Sequence, residues 1–278
     1  MRKQTILILL LIFIFSFSSI VSANDKLIKA VQNNNLQKVK DLVNSGVDVN
    51  YQDNKGKTAL TYAAEKGKPK IAEYLIDQGA KVNVKTINYE NTPLMFASAM
   101  GNHEVAELLL QNGAVVDKKS RDGLTALMVA AVRGQLKVVN LLIAQGANVN
   151  VQNKKEVTPL IYATFEGNNK IIKSLIDAGA NIDSKDENGI TPLIAAAMKG
   201  NLKAVQLLLD KGAKIDSYDY TKETALFKAA KEGYPKIVKK LIESGAKTEI
   251  KNSKGNTPLR AAELNNNKEV IEILEKQN

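Results

Sequence analysis

The sequence of 278 residues contains no cysteine, no tryptophan and a single histidine, His103. Without cysteine the chain can form no disulfide, has no thiol nucleophile and cannot carry a lipid on a cysteine. A zinc site built from several cysteine and histidine side chains is excluded for the same reason. A histidine-dependent catalytic triad would have to use His103. These absences remove several of the commonest classes of enzyme.

Sequence patterns that bind phosphate groups are also missing. The chain contains neither a Gly-x-x-x-x-Gly-Lys motif nor a Gly-x-Gly-x-x-Gly motif, and its Asp and Glu residues form no spaced pair that differs from ordinary loop positions. His103 is expected in a turn that enters a helix, where a histidine is far more often a surface residue than a catalyst. We therefore predict that the protein is not an enzyme and has no catalytic residue, no cofactor and no metal site.

The N-terminus is the one strongly apolar part of the chain. After two basic residues, an uninterrupted apolar run spans 6–15, and a serine-rich segment then ends at Ala23. This order is typical of a secretory signal peptide, with cleavage predicted between Ala23 and Asn24. An uncleaved membrane anchor is the alternative, although the run is shorter than the roughly 20 residues of a spanning helix. We predict a signal peptide at 1–23, no later membrane segment, and a periplasmic or secreted protein.

The chain is basic, with 39 Lys and Arg residues against 29 Asp and Glu residues and a net charge of +10. Such a charge favours an acidic partner or an anionic surface. The alternative is an ordinary solvated surface, because acidic residues are interleaved with the lysines along the chain. Nucleic acid is not expected as a partner, since it would require a denser basic stripe with regularly placed aromatic residues. Export across a membrane argues against nucleic acid as well.

What the sequence does contain is a 33-residue segment that recurs along the chain. Its marker is Thr-(Pro/Ala)-Leu, and the steps between successive marker threonines are 34 and then five times 33. The markers begin at Thr58, Thr92, Thr125, Thr158, Thr191, Thr224 and Thr257. A Gly-Ala dipeptide recurs in register with them. A fixed period of about 20–50 residues indicates stacked repeats, which favour an extended binding surface over an enclosed pocket.

One repeat shows why the segment should fold as two short helices. Asp122-Gly123 is typical of a tight turn. Thr125 suits the N-cap of a first helix that ends near Gly134, and a second helix is predicted from about Leu136 to Ala144. All six prolines of the chain fall in the first turn of a predicted helix, where the missing N–H costs nothing. Helices this short are marginal alone, so each must bury one face against the next repeat.

These features resemble the ankyrin repeat. The segment Asp186 to Leu193, followed by Gly212-Ala213 and Asp216, is close to a complete copy of the family pattern. The resemblance covers about Asp25 to the C-terminus. It implies an all-α solenoid, L-shaped and gently curved, of about eight stacked helix-turn-helix units with hairpin-like loops. The predicted ankyrin-repeat domain spans 24–278, with an N-terminal cap unit at 24–50, six full units at 51–249 and a C-terminal cap unit at 250–278.

Two features depart from the family pattern. The histidine that usually follows Pro-Leu is absent from every repeat, so we expect apolar packing in place of a buried hydrogen-bond network. The residues found there are Thr61, Met95, Met128, Ile161, Ile194, Phe227 and Arg260. The loop of the third repeat, Val84 to Asn91, has one extra residue and no glycine. A locally distorted loop is predicted there, and a tolerated slip and a functional insertion are both open.

The resemblance implies a binding surface made of the loop tips and the exposed face of each first helix, which together line the concave side. The residues just before the first-helix glycines then form an apolar row flanked by charge. The row is Met100, Val132, Phe165 and Met198, and the charged residues are Arg133, Glu166, Lys199 and Lys231. Tyr218 and Tyr220 are added at a loop tip, because tyrosine is enriched in binding hot spots. The alternative for the row is packing against the next repeat.

The sequence thus predicts an exported monomer that binds a protein partner through its concave groove, as a scaffold, an inhibitor or an accessory protein. Two alternatives stay open. One is a secreted effector that acts on host proteins, and the other is a membrane-tethered adaptor that keeps its signal segment.

Overall fold

The computed structural model describes residues 23–277. The predicted signal segment lies outside the described residues, except that Ala23 belongs with Asn24 to the first described helix. Within the described range the chain forms sixteen helices, and the strand-like pairing there is confined to an isolated bridge between Tyr218 and Thr224. The prediction of an all-α chain built from helix-turn-helix units is confirmed.

The helices come in pairs along the chain. The first pair is α1 (23–32) and α2 (Leu36–Asn44). In the seven repeats that follow, the first helices are α3 (Ala59–Lys66), α5 (Pro93–Met100), α7 (Ala126–Val132), α9 (Pro159–Phe165), α11 (Pro192–Met198), α13 (Ala225–Glu232) and α15 (Pro258–Leu264). The second helices are α4 (Pro69–Asp77), α6 (His103–Gln111), α8 (Leu136–Ala144), α10 (Asn169–Asp177), α12 (Leu202–Asp210), α14 (Pro235–Glu243) and α16 (Lys268–Glu275).

The marker threonine starts every first helix for one local reason. In all seven repeats its Oγ1 accepts a hydrogen bond from the backbone N–H three residues later, at 3.2–3.4 Å. This bond satisfies one of the amide groups that a helix start leaves without an intrahelical partner. The six prolines also lie in the first turn of a helix, as predicted: Pro69, Pro93, Pro159, Pro192, Pro235 and Pro258.

The described residues divide into two compact bodies, 23–122 and 123–277. In the described part of the first body, α3 packs against α5, and α4 packs against α2 and α6. In the second body, the first helices α7, α9, α11, α13 and α15 pack side by side, and the second helices α8, α10, α12, α14 and α16 do the same. Within each body, a repeat therefore contacts its neighbours in sequence, as the fixed period predicts.

Alanine and leucine side chains fill the core between the two rows of helices. Ala130, Ala131 and Leu142 of the fourth repeat have no exposed surface. The side chains that replace the family histidine are also buried, as apolar packing predicts, with exposures of 0–3% at Met95, Met128, Ile161, Ile194 and Phe227. Thr61 is buried as well and hydrogen-bonds the marker threonine of its repeat, whereas Arg260 is exposed in the last repeat.

Asparagine side chains bind one repeat to the repeat before it. In the first body, Asn102 precedes α6 and donates from Nδ2 to the carbonyl oxygens of Ala64 at 2.7 Å and Glu65 at 3.1 Å. These carbonyls belong to the last turn of α3, which has no helical partners for them. Gly67 ends α3 with φ of +61°, and a Cβ on it would lie 2.6 Å from Asn102 Oδ1. Glycine is therefore required at this close approach.

The second body repeats this contact. Asn267 precedes α16 and donates from Nδ2 to the carbonyl oxygens of Ala230 and Lys231, both at 2.9 Å. Asn168 precedes α10 and donates to the Ala131 carbonyl at 3.2 Å. In each case the residue before a second helix caps the end of the first helix of the preceding repeat. The two neighbouring repeats therefore hold each other in place.

The longer loop of the third repeat keeps its contacts with the loops on either side. The Ile87 N–H donates to the Lys55 carbonyl at 3.1 Å, and the Arg121 N–H donates to the Tyr89 carbonyl at 2.8 Å. Glu90 takes the left-handed conformation that glycine usually takes, with φ of +56°. The extra residue therefore leaves Ile87 and Tyr89 exposed, by 57% and 64%, without breaking the line of loops.

Candidate functional site

The predicted apolar row is divided between the two bodies. Met100 is the last residue of α5 in the first body and is 58% exposed. Val132, Phe165 and Met198 are the last residues of α7, α9 and α11 in the second body, and all three are half-buried. Because these three helices pack side by side, the structure brings their last residues into one line. We call Val132, Phe165 and Met198 the second-body face.

Charged side chains flank the second-body face, as the sequence predicts. Four of them are exposed: Arg133, Glu166, Lys199 and Lys231. The Lys199 ammonium lies 5.9 Å from the centroid of the Phe165 ring, a cation–π distance that contributes about 0.5–1 kcal/mol at an exposed site. Half-burial shows that part of each apolar side chain is already covered in the free chain. Binding of a partner to this face stays a prediction.

The two predicted tyrosines lie on one loop and are held there by its neighbour. Tyr218 is 50% exposed, and its carbonyl accepts a hydrogen bond from Lys185 Nζ at 2.9 Å. Tyr220 is 67% exposed, and its N–H donates to the Asn188 carbonyl at 3.0 Å. The Tyr220 ring also lies against Gly189, where a Cβ would approach ring atom Cδ1 to 2.9 Å. Both rings thus present exposed aromatic surface from ordered backbone.

Sequence reasoning missed a polar contact that recurs inside several repeats. The residue five positions before the marker threonine lies at the base of the loop, and its Oδ1 accepts backbone N–H groups of the loop. Its second terminal atom, Oδ2 of Asp or Nδ2 of Asn, contacts a residue nine positions later, on the first helix. These loop-to-helix pairs are Asp53 with Tyr62 at 2.7 Å, Asn153 with Tyr162 at 2.9 Å and Asp219 with Lys228 at 2.8 Å. The shared nine-residue spacing was visible in the sequence and could have revealed them.

The first of these pairs has a defined protonation state. Burial raises the pKa of Tyr62, and the hydrogen bond to the Asp53 carboxylate raises it further. The hydroxyl group therefore stays protonated at neutral pH and donates to the carboxylate. A similar pair with an amide in place of the carboxylate, Asn153 with Tyr162, carries no charge.

The last pair is part of a small buried charge cluster. Lys228 Nζ bonds both Asp219 and Glu223, and the three side chains are only 13%, 6% and 12% exposed. Burial favours the neutral form of Asp219, but the hydrogen bonds from Lys228, Thr221 and a backbone N–H outweigh it and lower the pKa of Asp219. Burial likewise opposes the charge on Lys228, but its bonds to the two carboxylates raise the pKa of Lys228. Asp219 and Lys228 are therefore both charged at neutral pH.

The described residues show no feature that binds a metal ion or spans a membrane. Across residues 23–277, no three His, Asp or Glu side chains lie together in a way that could hold a metal ion. No helix in the same range is both long enough and apolar enough to cross a bilayer. His103 is the first residue of α6 and is half-buried.

Short helix pairs that stack in sequence and bind their neighbours through loops and caps define a helical repeat protein. A family model described as ankyrin repeats (3 copies) matches residues 27–122, 115–186, 160–252 and 220–278. The chain therefore belongs to the ankyrin repeat family. It is also similar to a protein of Rickettsia bellii (strain RML369-C) that is described as an ankyrin repeat protein, with 40% identity over 70 residues. That match covers 24% of this chain and 10% of the relative, so it concerns the repeats alone.

Membership in the family gives the general role of the fold. Ankyrin repeats are generally protein–protein interaction modules and typically serve as non-enzymatic binding scaffolds. A protein partner is thus the kind of partner that the family indicates.

We predict that Lys228→Met destabilises the protein by about 3 kcal/mol, because two buried carboxylates lose their shared cation. Urea unfolding followed by circular dichroism measures this. Lys239→Met is the matched control, since Lys239 forms an exposed pair with Glu243 at 4.0 Å and its loss should cost less than about 1 kcal/mol. Equal effects of the two substitutions would contradict the cluster.

The pH dependence of that difference follows from the signs of the pKa shifts. Because the pKa of folded Asp219 is lowered, its contribution is present above its unfolded pKa of about 3.9 and disappears as the pH falls through the lower folded value. Because the pKa of folded Lys228 is raised, its contribution disappears only above about pH 10.4. The difference between wild type and Lys228→Met should therefore be constant from about pH 7 to 9 and shrink as the pH falls toward about 3.9, because the unpaired carboxylates of the variant take up protons and the wild-type pair is then lost.

Proposed function

We propose that this chain is an exported protein-binding module that engages a partner protein through the ends of its first helices and its loop tips. It acts as a scaffold, an inhibitor or an accessory protein. The observation that supports this most is the second-body face, where three adjacent helices end in Val132, Phe165 and Met198. Each of these side chains is half-buried and keeps part of its surface exposed.

The chemistry of the second-body face fits a protein interface. Such interfaces combine an apolar centre with a polar rim, and their strongest contacts come from side chains that enter desolvated pockets. Here Phe165 supplies an aromatic ring with few rotatable bonds, so little conformational entropy is lost when a partner covers it. Lys199 Nζ lies 5.9 Å from the centroid of that ring. Exposed Arg133 and Glu166 provide the polar rim.

Export to the periplasm or out of the cell is proposed from the N-terminal pattern of the sequence. The basic start, the apolar run at 6–15 and the small residues that end at Ala23 support a cleaved signal peptide. A partner would then be an envelope or extracellular protein. The net charge of +10 favours an acidic partner surface overall.

We predict that the double variant Phe165→Glu plus Met198→Glu loses its protein partner. Two carboxylates in the apolar centre would have to be desolvated on binding, which costs at least about tenfold in affinity. The measurement is a pull-down from the envelope fraction of the native cell, quantified by mass spectrometry against wild type.

The control for this pull-down is Val115→Glu, which places the same charge on another exposed apolar residue, 50% exposed and outside the helices. The control should recover the same proteins as wild type. If the double variant recovers every protein that wild type recovers, the second-body face is not the binding surface.

We predict further that the mature protein in the native cell begins at Asn24. N-terminal sequencing of the protein purified from periplasm and culture medium checks this. A mature chain that still begins at Met1 and fractionates with membranes would refute cleavage and support a membrane-tethered adaptor. Recovery from host cells instead of the envelope would support a secreted effector.

A further inference from the structure

The loop-to-helix pairs are complete in the second, fifth and seventh repeats but not in the sixth, although it also carries an Asp at the loop base. Asp186 occupies that position there and is only 5% exposed. Its Oδ1 accepts hydrogen bonds from the backbone N–H groups of Asn188 and Ile190, both at 2.9 Å. The residue nine positions later is Ala195, which has no polar atom to offer. The second carboxylate oxygen, Oδ2, has no hydrogen-bond partner.

The equivalent atoms elsewhere show where this oxygen points. Asp53 Oδ2 accepts from a tyrosine hydroxyl, and Asp219 Oδ2 bonds a lysine ammonium, each on the first helix of the same repeat. Even Asn252, whose helix residue is also alanine, has its free amide satisfied by Glu223 Oε1 at 3.1 Å. By the repeat geometry, Asp186 Oδ2 therefore faces the first-helix side of the second body with nothing to bond.

This oxygen keeps contact with solvent. Among the described residues, Ser98 Oγ alone is a fully enclosed side-chain oxygen or nitrogen that lacks a partner. Asp186 Oδ2 is thus unpartnered but reachable. The nine-tenths-buried Asp186 thus has one carboxylate oxygen bonded by backbone N–H groups and the other open to a donor from outside the chain. A cation from another molecule would complete it.

We propose that Asp186 is a docking site for a cationic side chain, lysine or arginine, of the protein partner. This inference rests on the proposed binding function and adds a chemical feature of the partner. Asp186 belongs to the repeat whose first helix, α11, ends in Met198 of the second-body face. The partner's cation would occupy the place that Lys228 Nζ fills beside Asp219 in the next repeat.

The overall charge of the chain does not favour a cationic side chain of a partner, so the preference for one must arise at Asp186 itself. With a net charge of +10, the surface as a whole repels cationic peptides. Preference for a basic side chain must then come from a local carboxylate. Charge-assisted hydrogen bonds to such a group are roughly twice as strong as neutral ones, and partial burial reduces screening by water and salt.

Another repeat of the chain shows which substitution removes the charge of Asp186 and keeps the loop. Asn153 lies at the equivalent position of the fifth repeat, and its Oδ1 accepts from the N–H groups of Lys155 at 2.9 Å and Val157 at 3.0 Å. Asp186→Asn should therefore keep the loop bonds. Asp53→Asn is the matched control, because that carboxylate is already engaged by Tyr62.

The test uses a phage-displayed library of random 12-residue peptides. The library is first depleted on immobilised Asp186→Asn protein and then enriched on wild type, so that the surviving peptides depend on the Asp186 charge. We expect survivors that contain a lysine or arginine, that bind Asp53→Asn as well as wild type, and that bind Asp186→Asn at least about tenfold more weakly. Replacing the basic residue of a survivor by norleucine should cause a similar loss.

Three results would overturn the assignment: no peptide survives depletion, the survivors carry no basic residue, or norleucine has no effect. After any of these results the proposed function can still be tested separately. The peptides removed in the depletion step bind Asp186→Asn protein, and they can be assayed against Phe165→Glu plus Met198→Glu. If those peptides lose binding to the double variant, the second-body face binds protein and only the role of Asp186 fails. If they do not, the face fails as well.

Discussion

Each helix in the described part of the chain depends on the helices beside it. The first helices of the repeats have seven or eight residues and the second helices eight or nine, which is below the about 12–15 residues at which an isolated helix becomes stable in water. Fully buried Ala131 and Leu142 show where the missing stability comes from, since the helices share an interior with their neighbours. Asn102 and Asn267 add polar bonds that cap one helix with the next.

The same dependence separates the positions that maintain the fold from those that can serve binding. Marker threonines, buried alanines and capping asparagines are fixed by contacts that every repeat must make. The residues that end the first helices, such as Phe165 and Met198, and the residue that faces the loop base are free to vary without breaking the stack. Tyr62, Tyr162 and Lys228 occupy that last position in three repeats, and Ala195 leaves it open in a fourth. Binding chemistry is therefore concentrated where the repeats differ.

Much of the fold could be predicted from the sequence, because period, caps and prolines are local signals. The second helix predicted at Leu136 to Ala144 has those bounds in the structure, and each marker threonine is an N-cap. The burial of Met128 and Ile161 also followed from their apolar character. The loop-to-helix pairs were not foreseen, since they join two segments of a repeat through side-chain atoms. Half-burial of Val132 likewise depends on neighbouring repeats, which a pattern within one repeat cannot measure.

Stability passes between neighbouring repeats, and native-state hydrogen exchange of Asn267→Ala measures this transfer. Asn140→Ala on the exposed side of α8 is the control. Losing the two bonds of Asn267 costs about 1–3 kcal/mol locally. Amides of α13 to α16 should therefore exchange at least about tenfold faster, while those of α9 and α10 are unchanged. A uniform change across all helices of the second body, or no change in α13 to α16, would contradict it.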